Sequence, residues 1–297
     1  MIRRLEEYEQ ALAEAIAAAP QPGMLAALWK RTAGGIPGGL TVYDCGSGVL
    51  LVTRRGAAVL LGEPGAASRR EITLFAPFAG VTCLYTAEAV RLPAAQWKDC
   101  PLVWMAAPAG EGVPAGRTDG HIVYPLSSYS AAAKLICAQE SEDVRNDFYA
   151  ELCSRRNRGV GQVLAIGDRA VPDACAVCSG PIPAPVPAAE PVKKPTGLWQ
   201  RLRARLQRPQ PPEMVPTVYL SDVFVAPQYR GGGKGAALVH AALRRLSLPE
   251  ETQQVAVYCV PEMSPFYEKL SLRQGGRLHR WLLKEAAEEE PSPVPEK

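Results

Sequence analysis

A cluster of glycines follows a strand-like segment in the C-terminal third of the chain. Residues 218–225 are rich in β-branched and aromatic side chains, which is typical of a buried strand. After a turn at 226–229 come the glycine-rich residues 230–235, and then a helical pattern over 236–245. Backbone N–H groups in such a turn point inward, the helix dipole adds partial positive charge, and missing Cβ atoms allow close approach. The segment therefore predicts an anion site of the kind that holds phosphate groups.

Two common nucleotide-binding loops do not fit this cluster. A P-loop requires Ser or Thr directly after its lysine to bind the metal, whereas Lys234 is followed by a glycine. A dinucleotide fingerprint can be placed on Gly231, Gly233 and Ala236. However, residues 226–230 separate the strand from these glycines, and only about sixty residues remain downstream for further βαβ units.

The segment resembles motif A of the GNAT superfamily of N-acetyltransferases, Q/R-x-x-G-x-G/A. Residues 230–235 match the motif, and residues 223–230 match the family's lead-in, hydrophobic-V-x-P-x-x-R. The resemblance implies that the loop amides hold the pyrophosphate of acetyl-CoA and that amides at the strand end contact the pantetheine arm and thioester. The implied cofactor-binding residues are Phe224, Val225, Arg230, Gly231, Gly232, Gly233, Lys234, Gly235 and Ala236. Arg230 and Lys234 would add positive charge, although each is equally typical of a solvated flank.

A second stretch downstream resembles motif B of the same family. The strand-like run 255–260 is followed by residues 261–272, which match the pattern N/x-x-x-A/P-x-x-F-Y-E-K-x-G-F. The final Gly-Phe is replaced by Ser271 and Leu272. The resemblance implies that Tyr267 lies near the thioester sulfur and protonates the leaving thiolate. The structural alternative is a core tyrosine that packs after Phe266.

The general base that would take a proton from the amine is not identified by any motif. Asp222 lies on the strand before the glycine loop and Glu262 follows the next strand, so either carboxylate could relay a proton through water. Each also suits an ordinary position, Asp222 as a strand-edge charge and Glu262 at a helix N-terminus. The three histidines are given no role. The catalytic candidates are therefore Tyr267, Asp222 and Glu262.

The elements that must position these residues occur in the GNAT order over residues 118–285. This part of the chain is predicted to form a GNAT acyl-CoA N-acyltransferase domain, an α+β fold with a mixed α/β sheet. The elements predicted before the motif A strand are a strand at 121–125, helices at 128–139 and 142–158, and strands at 161–166 and 174–178.

Residues 1–115 are predicted to form a smaller α+β domain. Two helical patterns are followed by a series of strands, as in the first half of an acetyltransferase domain, but no glycine-rich loop accompanies them. Two interpretations of these residues are therefore possible, a degenerate GNAT-like copy of the fold and a generic α+β cap. The predicted helices are 5–19 and 23–31, and the predicted strands are Leu40–Asp44, Gly48–Thr53, Ala57–Gly62, 72–75, 81–85 and 102–105. A stretch rich in glycine and proline at 107–120 predicts the linker between the domains.

A proline-rich basic insertion interrupts the family pattern at 181–217. Its opening prolines disfavour helix and central strand and favour extended polyproline II. The segment holds six basic and two acidic side chains, a net charge of +4 against +3 for the whole chain. Two interpretations are compatible with this composition. The segment is either a surface insertion at a hairpin tip, or a basic amphipathic helix that contacts nucleic acid, a membrane or a partner's groove. Residues 286–297 are acidic and proline-rich and are predicted to form a disordered tail.

Composition limits the class of protein and its compartment. The 297 residues are 47% hydrophobic and 21% charged, as in a soluble globular protein with room for two domains. Because the chain lacks a long apolar run and has acidic residues near its N-terminus, we expect a cytoplasmic protein. The eight cysteines are interpreted as buried thiols, and Cys175-x-x-Cys178 lacks the second pair that a zinc ribbon needs, so no metal is predicted.

These observations predict an N-acetyltransferase that moves an acetyl group from acetyl-CoA to a primary amine of a small molecule or protein by direct attack in a ternary complex. One alternative is a non-catalytic acyl-CoA-binding regulatory module. Another is an acyltransferase with a different donor, such as an aminoacyl-tRNA, for which the basic insertion would contact RNA. A homodimer is compatible with the sequence, and the acceptor is not identified because function depends on the site rather than the fold.

Overall fold

The structure is a computed structural model that describes residues 2–6, 40–46, 48–53, 56–62, 65–87, 90–110, 120–187 and 214–284. Several predicted segments lie outside these residues. They are most of the two N-terminal helices (7–39), most of the linker (111–119), the basic part of the insertion (188–213) and the tail (285–297).

The N-terminal half contributes strands and one described helix. They are β1 (Arg3–Arg4), β2 (Leu40–Asp44), β3 (Gly48–Thr53), β4 (Ala57–Gly62), α1 (Ala66–Phe78), β5 (Cys83–Ala87) and β6 (Trp97–Pro108). The predicted strands β2, β3 and β4 are confirmed. The strand predicted at 72–75 is wrong, because these residues lie inside α1. Ile72 and Ala76 are buried one helical turn apart, and a run of four apolar residues is too short for its periodicity to separate helix from strand.

The C-terminal half follows the predicted order of elements. They are β7 (Tyr124–Pro125), α2 (Tyr129–Ile136), α3 (Glu142–Asn157), β8 (Gly161–Gly167), β9 (Pro172–Pro185), β10 (Met214–Val225), α4 (Lys234–Leu243), β11 (Gln254–Cys259), α5 (Ser264–Lys269) and β12 (Arg273–Leu283). The strand predicted at 121–125 is shorter than expected. Ser141 caps α3, because its hydroxyl accepts a hydrogen bond from the Val144 amide at 3.4 Å.

All twelve strands of the described residues belong to one mixed sheet, in the order β1-β2-β3-β4-β5-β12-β6-β11-β10-β9-β8-β7. The two halves of the chain exchange strands at its centre. β6, from the N-terminal half, lies between β11 and β12, and β12, from the C-terminal half, lies between β5 and β6. Both halves also contain a parallel strand pair joined by a helix, β4–α1–β5 and β10–α4–β11. The sheet is therefore built from two similar halves.

One face of the sheet is covered by α1 and α4, and we call it the helix face. Trp97 of β6 packs in one core cluster with Ile72 and Ala76 of α1. Val103 and Met105 of the same strand pack with α4. Because alternate residues of a strand share a face, both helices lie on the same side. In the C-terminal half, α2 and α3 cover the opposite side, which we call the cleft face, in a cluster that includes Val163 and Val177.

The proline-rich opening of the insertion continues a strand, contrary to prediction. Pro183 pairs with Pro216 and Pro185 pairs with Met214, so β9 and β10 extend together as a ribbon. β8 accompanies β9 only as far as Ser179. Beyond that residue β9 has one neighbour, and proline without an N–H group is tolerated where a strand has an open edge.

The predicted linker also begins later than expected. Ala107 and Pro108 are the last residues of β6, and Ala107 pairs with Val255 of β11. Ala107 is 3% exposed because it packs in the core beneath α4. A small buried residue followed by proline has the composition of a loop, but here it ends a central strand.

Candidate active site

The strands β10 and β11 separate at the end where the glycine loop begins. They pair in parallel from Thr217 opposite Gln254 to Leu220 opposite Val257. A register shift follows Leu220, after which β10 stays with β9 while β11 stays with β6. The backbone edges of the two strands therefore face a gap instead of each other, and an extended ligand arm could pair with them there.

The ladder between β9 and β10 determines which amides face this gap. The Ala226 N–H donates to the Asp173 carbonyl at 2.9 Å, so this is a hydrogen-bonded pair of the antiparallel ladder. Hydrogen-bonded and non-hydrogen-bonded pairs alternate along an antiparallel ladder. The Phe224 amide is therefore hydrogen-bonded within the ladder, opposite Cys175, whereas the Val223 and Val225 amides point into the gap. Of the two strand amides predicted to contact the cofactor, that of Val225 points into the gap and that of Phe224 does not. The Val223 amide, which the sequence analysis did not include, also points into the gap because it alternates with Phe224 along the strand.

The glycine loop has the backbone conformation that its sequence demands. Gly231 and Gly233 have φ values of 80° and 77°, in the left-handed region that favours glycine. Gly233 is the residue directly before α4. Gly235, in the first turn of α4, lies against both sides of the gap, since an added Cβ would be 3.7 Å from Val225 Cγ2 and from Phe266 Cζ. The loop thus joins the end of β10 to a helix N-terminus beside the motif B helix α5.

Three cationic or polar side chains lie at the loop. Lys234 Nζ lies 2.9 Å from Asp173 Oδ2 and 5.0 Å from the centre of the Tyr229 ring, so this lysine is held in place and is not merely a solvated flank. His121 Nε2 donates a hydrogen bond to the Gly232 carbonyl oxygen at 2.6 Å. No sequence motif pointed to His121, because it lies far from the loop along the chain. Arg230 is exposed, and its Nε donates to the Val225 carbonyl at 3.3 Å.

Tyr267 lies on the β11 side of the gap. It is 6% exposed, and its ring packs edge-on against Phe266 with centroids 5.0 Å apart. Burial, and to a smaller extent the neighbouring Cys259 thiol, raise the pKa of Tyr267 to about 12. The phenol is therefore protonated at neutral pH and can donate a proton. Tyr267 belongs to the core cluster beneath α4, on the helix face, so its location fits both a structural and a chemical role.

The two candidate carboxylates differ in position. Asp222 pairs with Val177, a residue of the cluster under α2 and α3, and therefore points to the cleft face directly after the register shift. It is partly exposed. Glu262 is exposed in the short 3₁₀ turn Pro261–Met263. Asp222 and Tyr267 thus lie on opposite faces of the sheet.

The corresponding connection in the N-terminal half is much shorter. β4 and β5 also separate, after Val59 opposite Tyr85. Only residues 63–65 connect β4 to α1, whereas residues 226–233 connect β10 to α4. The short connection leaves no room for a glycine-rich phosphate loop like that before α4.

Other features of the described residues do not add to this site. A cavity of about 350 Å³ lies at the opposite end of β10, where Val218, Gly161 and Leu248 line it. Cys175 and Cys178 belong to clusters on opposite faces of β9, as strand alternation predicts. In the described ranges no group of three His, Cys, Asp or Glu side chains is arranged to hold a metal ion. No helix in those ranges combines the length with the apolar character needed to cross a bilayer.

Solved structures with similar folds cover nearly the whole chain. A tandem GNAT protein from the clavulanic acid biosynthesis pathway is 15% identical, with a TM-score of 0.51 over 95% of this chain and 97% of that one. A GCN5-related N-acetyltransferase from Sphaerobacter thermophilus is 13% identical, with a TM-score of 0.52 over 94% of each chain. The chain has the GNAT fold. The match to a tandem protein along its full length agrees with the two GNAT-like halves seen in the sheet.

The similarity is detected by comparison of structures and not by comparison of sequences. No model of a protein family matches the chain, and no curated protein sequence does. The GNAT halves of this chain are therefore recognised by the order and pairing of their strands.

Proposed function

We propose that the chain is an N-acetyltransferase that transfers an acetyl group from acetyl-CoA to a primary amine. The observation that carries the proposal is the gap between β10 and β11, which opens beside a glycine loop at a helix N-terminus. The loop amides and the α4 dipole would hold the pyrophosphate. The Val223 and Val225 amides would pair with the pantetheine arm, and the thioester would lie where the two strands separate.

In this proposal the two proton transfers take place on opposite faces of the sheet. The neutral amine attacks the thioester carbonyl from the cleft face, where Asp222 takes its proton, directly or through water. An N–H group facing the gap stabilises the negative charge that develops on the carbonyl oxygen. The C–S bond then breaks, and the Tyr267 hydroxyl protonates the CoA thiolate from the helix face. Glu262 is less suited to either step because it is exposed on a turn.

The N-terminal half would contribute to acceptor binding and not to a second CoA site. Its short connection at 63–65 lacks the phosphate loop, while its strand β6 forms part of the cleft face next to β11. One acetyl-CoA is therefore expected per chain. We place the protein in the cytoplasm, where acetyl-CoA and free amines occur together.

The direct test is product formation. Purified protein is incubated with acetyl-CoA and a panel of amino acids, polyamines, aminoglycosides and lysine-containing peptides, and products are read by mass spectrometry as the gain of one acetyl group. We expect at least one amine to be acetylated with matching release of CoA. Tight acetyl-CoA binding without acetylation of any amine would contradict the proposal and favour a non-catalytic acyl-CoA-binding module.

A further inference from the structure

Asp173 of β9 contacts both ends of the connection that carries the glycine loop. Its carbonyl oxygen accepts a hydrogen bond from the Ala226 N–H at 2.9 Å, where β10 has ended and the connection begins. Its carboxylate Oδ2 lies 2.9 Å from Nζ of Lys234, the first residue of α4, where the connection ends. Residues 226–233 are therefore held at both ends by one residue of the neighbouring strand.

The Lys234 ammonium also contacts the middle of this connection. It lies 5.0 Å from the centre of the Tyr229 ring, a distance that suits a cation–π interaction. The Tyr229 N–H in turn donates to the Ala226 carbonyl at 2.8 Å, within a short 3₁₀ turn. The start, middle and end of the connection thus share one set of contacts, which we call the loop clamp (Asp173, Ala226, Tyr229 and Lys234).

Asp173 is itself held in a crowded position. An added Cβ at Gly167 would lie 2.6 Å from Asp173 Cγ and 2.8 Å from its backbone nitrogen, so the turn between β8 and β9 packs directly against it. The side chains of Asp173 and Lys234 are 21% and 15% exposed, respectively. Because water and salt screen such a pair less than a fully exposed one, we expect it to contribute more than an ordinary surface ion pair.

The clamp directs the Lys234 side chain away from the gap. β9 pairs with β10 on the edge opposite to β11, so Asp173 lies on the far side of β10 from the gap. The ammonium lies against the Asp173 carboxylate and the Tyr229 ring. The positive charge expected of Lys234 is therefore largely balanced within the protein.

Resting on the proposed function, we propose that Asp173 is a positioning residue for the acyl-CoA site, and that the Lys234 side chain serves the site through the clamp and does not bind the pyrophosphate. A loop that contains Gly231 and Gly233 has many conformations available, and ordering it during binding would cost conformational entropy. The clamp orders the loop in advance, so its amides already face the anion when acetyl-CoA arrives. The lysine also neutralises a carboxylate that would otherwise repel the phosphates.

Removal of the Asp173 carboxylate separates this role from direct binding of phosphate by Lys234. In Asp173→Ala the clamp is broken and the lysine is released. We expect the Kd for acetyl-CoA to rise about three- to tenfold, the usual range for one hydrogen-bonded contact. The kcat at saturating acetyl-CoA should be unchanged, because the loop positions the donor and takes no part in the bond changes. If Lys234 bound the pyrophosphate directly, its release would leave the affinity equal or higher.

The experiment combines calorimetry with hydrogen exchange of the loop amides. Asp173→Ala, Lys234→Ala and the double variant are titrated with acetyl-CoA, and exchange at residues 231–235 is measured without ligand. Each single variant should exchange faster than the wild type. The double variant should exchange no faster than the single variants and bind at least as tightly as Lys234→Ala, because both changes remove the same contact. Unchanged or tighter binding in Asp173→Ala, losses that add in the double variant, or wild-type exchange in both single variants would overturn the inference.

Two controls separate the clamp from general effects of charge and folding. Asp168→Asn removes a carboxylate from the same turn, and its amide oxygen can still accept the Ala170 N–H that Asp168 accepts at 2.7 Å, so its affinity and exchange should equal those of the wild type. Pantetheine, which lacks the pyrophosphate, should bind all variants equally in ligand-observed NMR. If Asp173→Ala does not fold, Asp173→Asn replaces it, with a smaller change in the same direction. Absence of acetyl-CoA binding by the wild type would overturn the proposed function, and the exchange comparison would still decide whether the clamp orders the loop.

Discussion

The hydroxyl of Tyr267 and the carboxylate of Asp222 divide the proposed chemistry between the two faces of the sheet. Tyr267 has few contacts with water and a pKa raised to about 12, mainly by burial, so it is protonated at neutral pH and can donate its O–H group to the CoA sulfur as the C–S bond breaks. Asp222 follows the register shift on β10 and keeps solvent access, as a group that must pass a proton on to water would need. In this proposal, one side chain takes the proton from the amine and the other donates a proton to the CoA sulfur.

Removal of the Tyr267 hydroxyl tests the proton transfer to sulfur. In Tyr267→Phe we expect kcat to fall by about a hundredfold, because general acid catalysis is typically worth two to four orders of magnitude. The Kd for acetyl-CoA should be unchanged, since the ring and its contact with Phe266 remain. Tyr149→Phe, on the exposed surface of α3, is the matched control. Wild-type turnover in Tyr267→Phe would leave Tyr267 with a structural role alone.

His121 gives a second test at this scale. It donates a hydrogen bond to the Gly232 carbonyl and so helps to hold the peptide planes of the glycine loop. In His121→Ala we expect the Kd for acetyl-CoA to rise about two- to tenfold, the usual worth of one hydrogen bond. The neighbouring Ile122→Ala, at a side chain that is 80% exposed, should bind as the wild type does. Equal affinities in the two variants would show that the loop holds its shape without His121.

At the scale of elements, local patterns predicted what lies close in sequence and missed what lies far apart. Strand β2 was predicted with its observed bounds because a strand flanked by turn residues carries its signal locally. The same reasoning placed residues 72–75 in a strand, since a short apolar run fits either period. The exchange of β6 and β12 could not be predicted, because strand pairing over such separations leaves no mark in either strand. The acceptor cleft depends on that exchange. The sequence therefore allowed a prediction of the cofactor-binding residues but not of the residues around the acceptor.

Removal of β6 tests the exchange itself. In the described structure, β6 pairs with β11 on one edge and with β12 on the other. The fragment 116–297 would therefore leave two central strands without their neighbour and many backbone groups without partners. We expect this fragment to lack a cooperative unfolding transition and to bind no acetyl-CoA, and co-expression with residues 1–115 to restore both. Cooperative folding of the fragment with wild-type affinity would establish residues 116–297 as an independent domain.

At the scale of the whole molecule, two similar halves have taken different roles. The C-terminal half combines the gap, the glycine loop and Tyr267, while the N-terminal half has the gap without the loop. A chain with two GNAT-like halves is therefore expected to hold one CoA, with the second half reshaping the cleft for the acceptor. This division also explains why motif matching recognised only one half.

The most direct measurement is calorimetric titration of the full chain with acetyl-CoA, with NAD and ATP as controls. We predict micromolar binding of one acetyl-CoA per chain and no binding of the other two. Gly233→Glu should weaken acetyl-CoA binding by at least about a hundredfold, because its carboxylate would stand where the pyrophosphate is proposed to bind. Gly46→Glu is the matched control, since Gly46 has a similar φ of 78° in open space on a distant turn. Two acetyl-CoA molecules per chain, no binding at all, or unchanged affinity in Gly233→Glu would contradict a single cofactor site at the glycine loop.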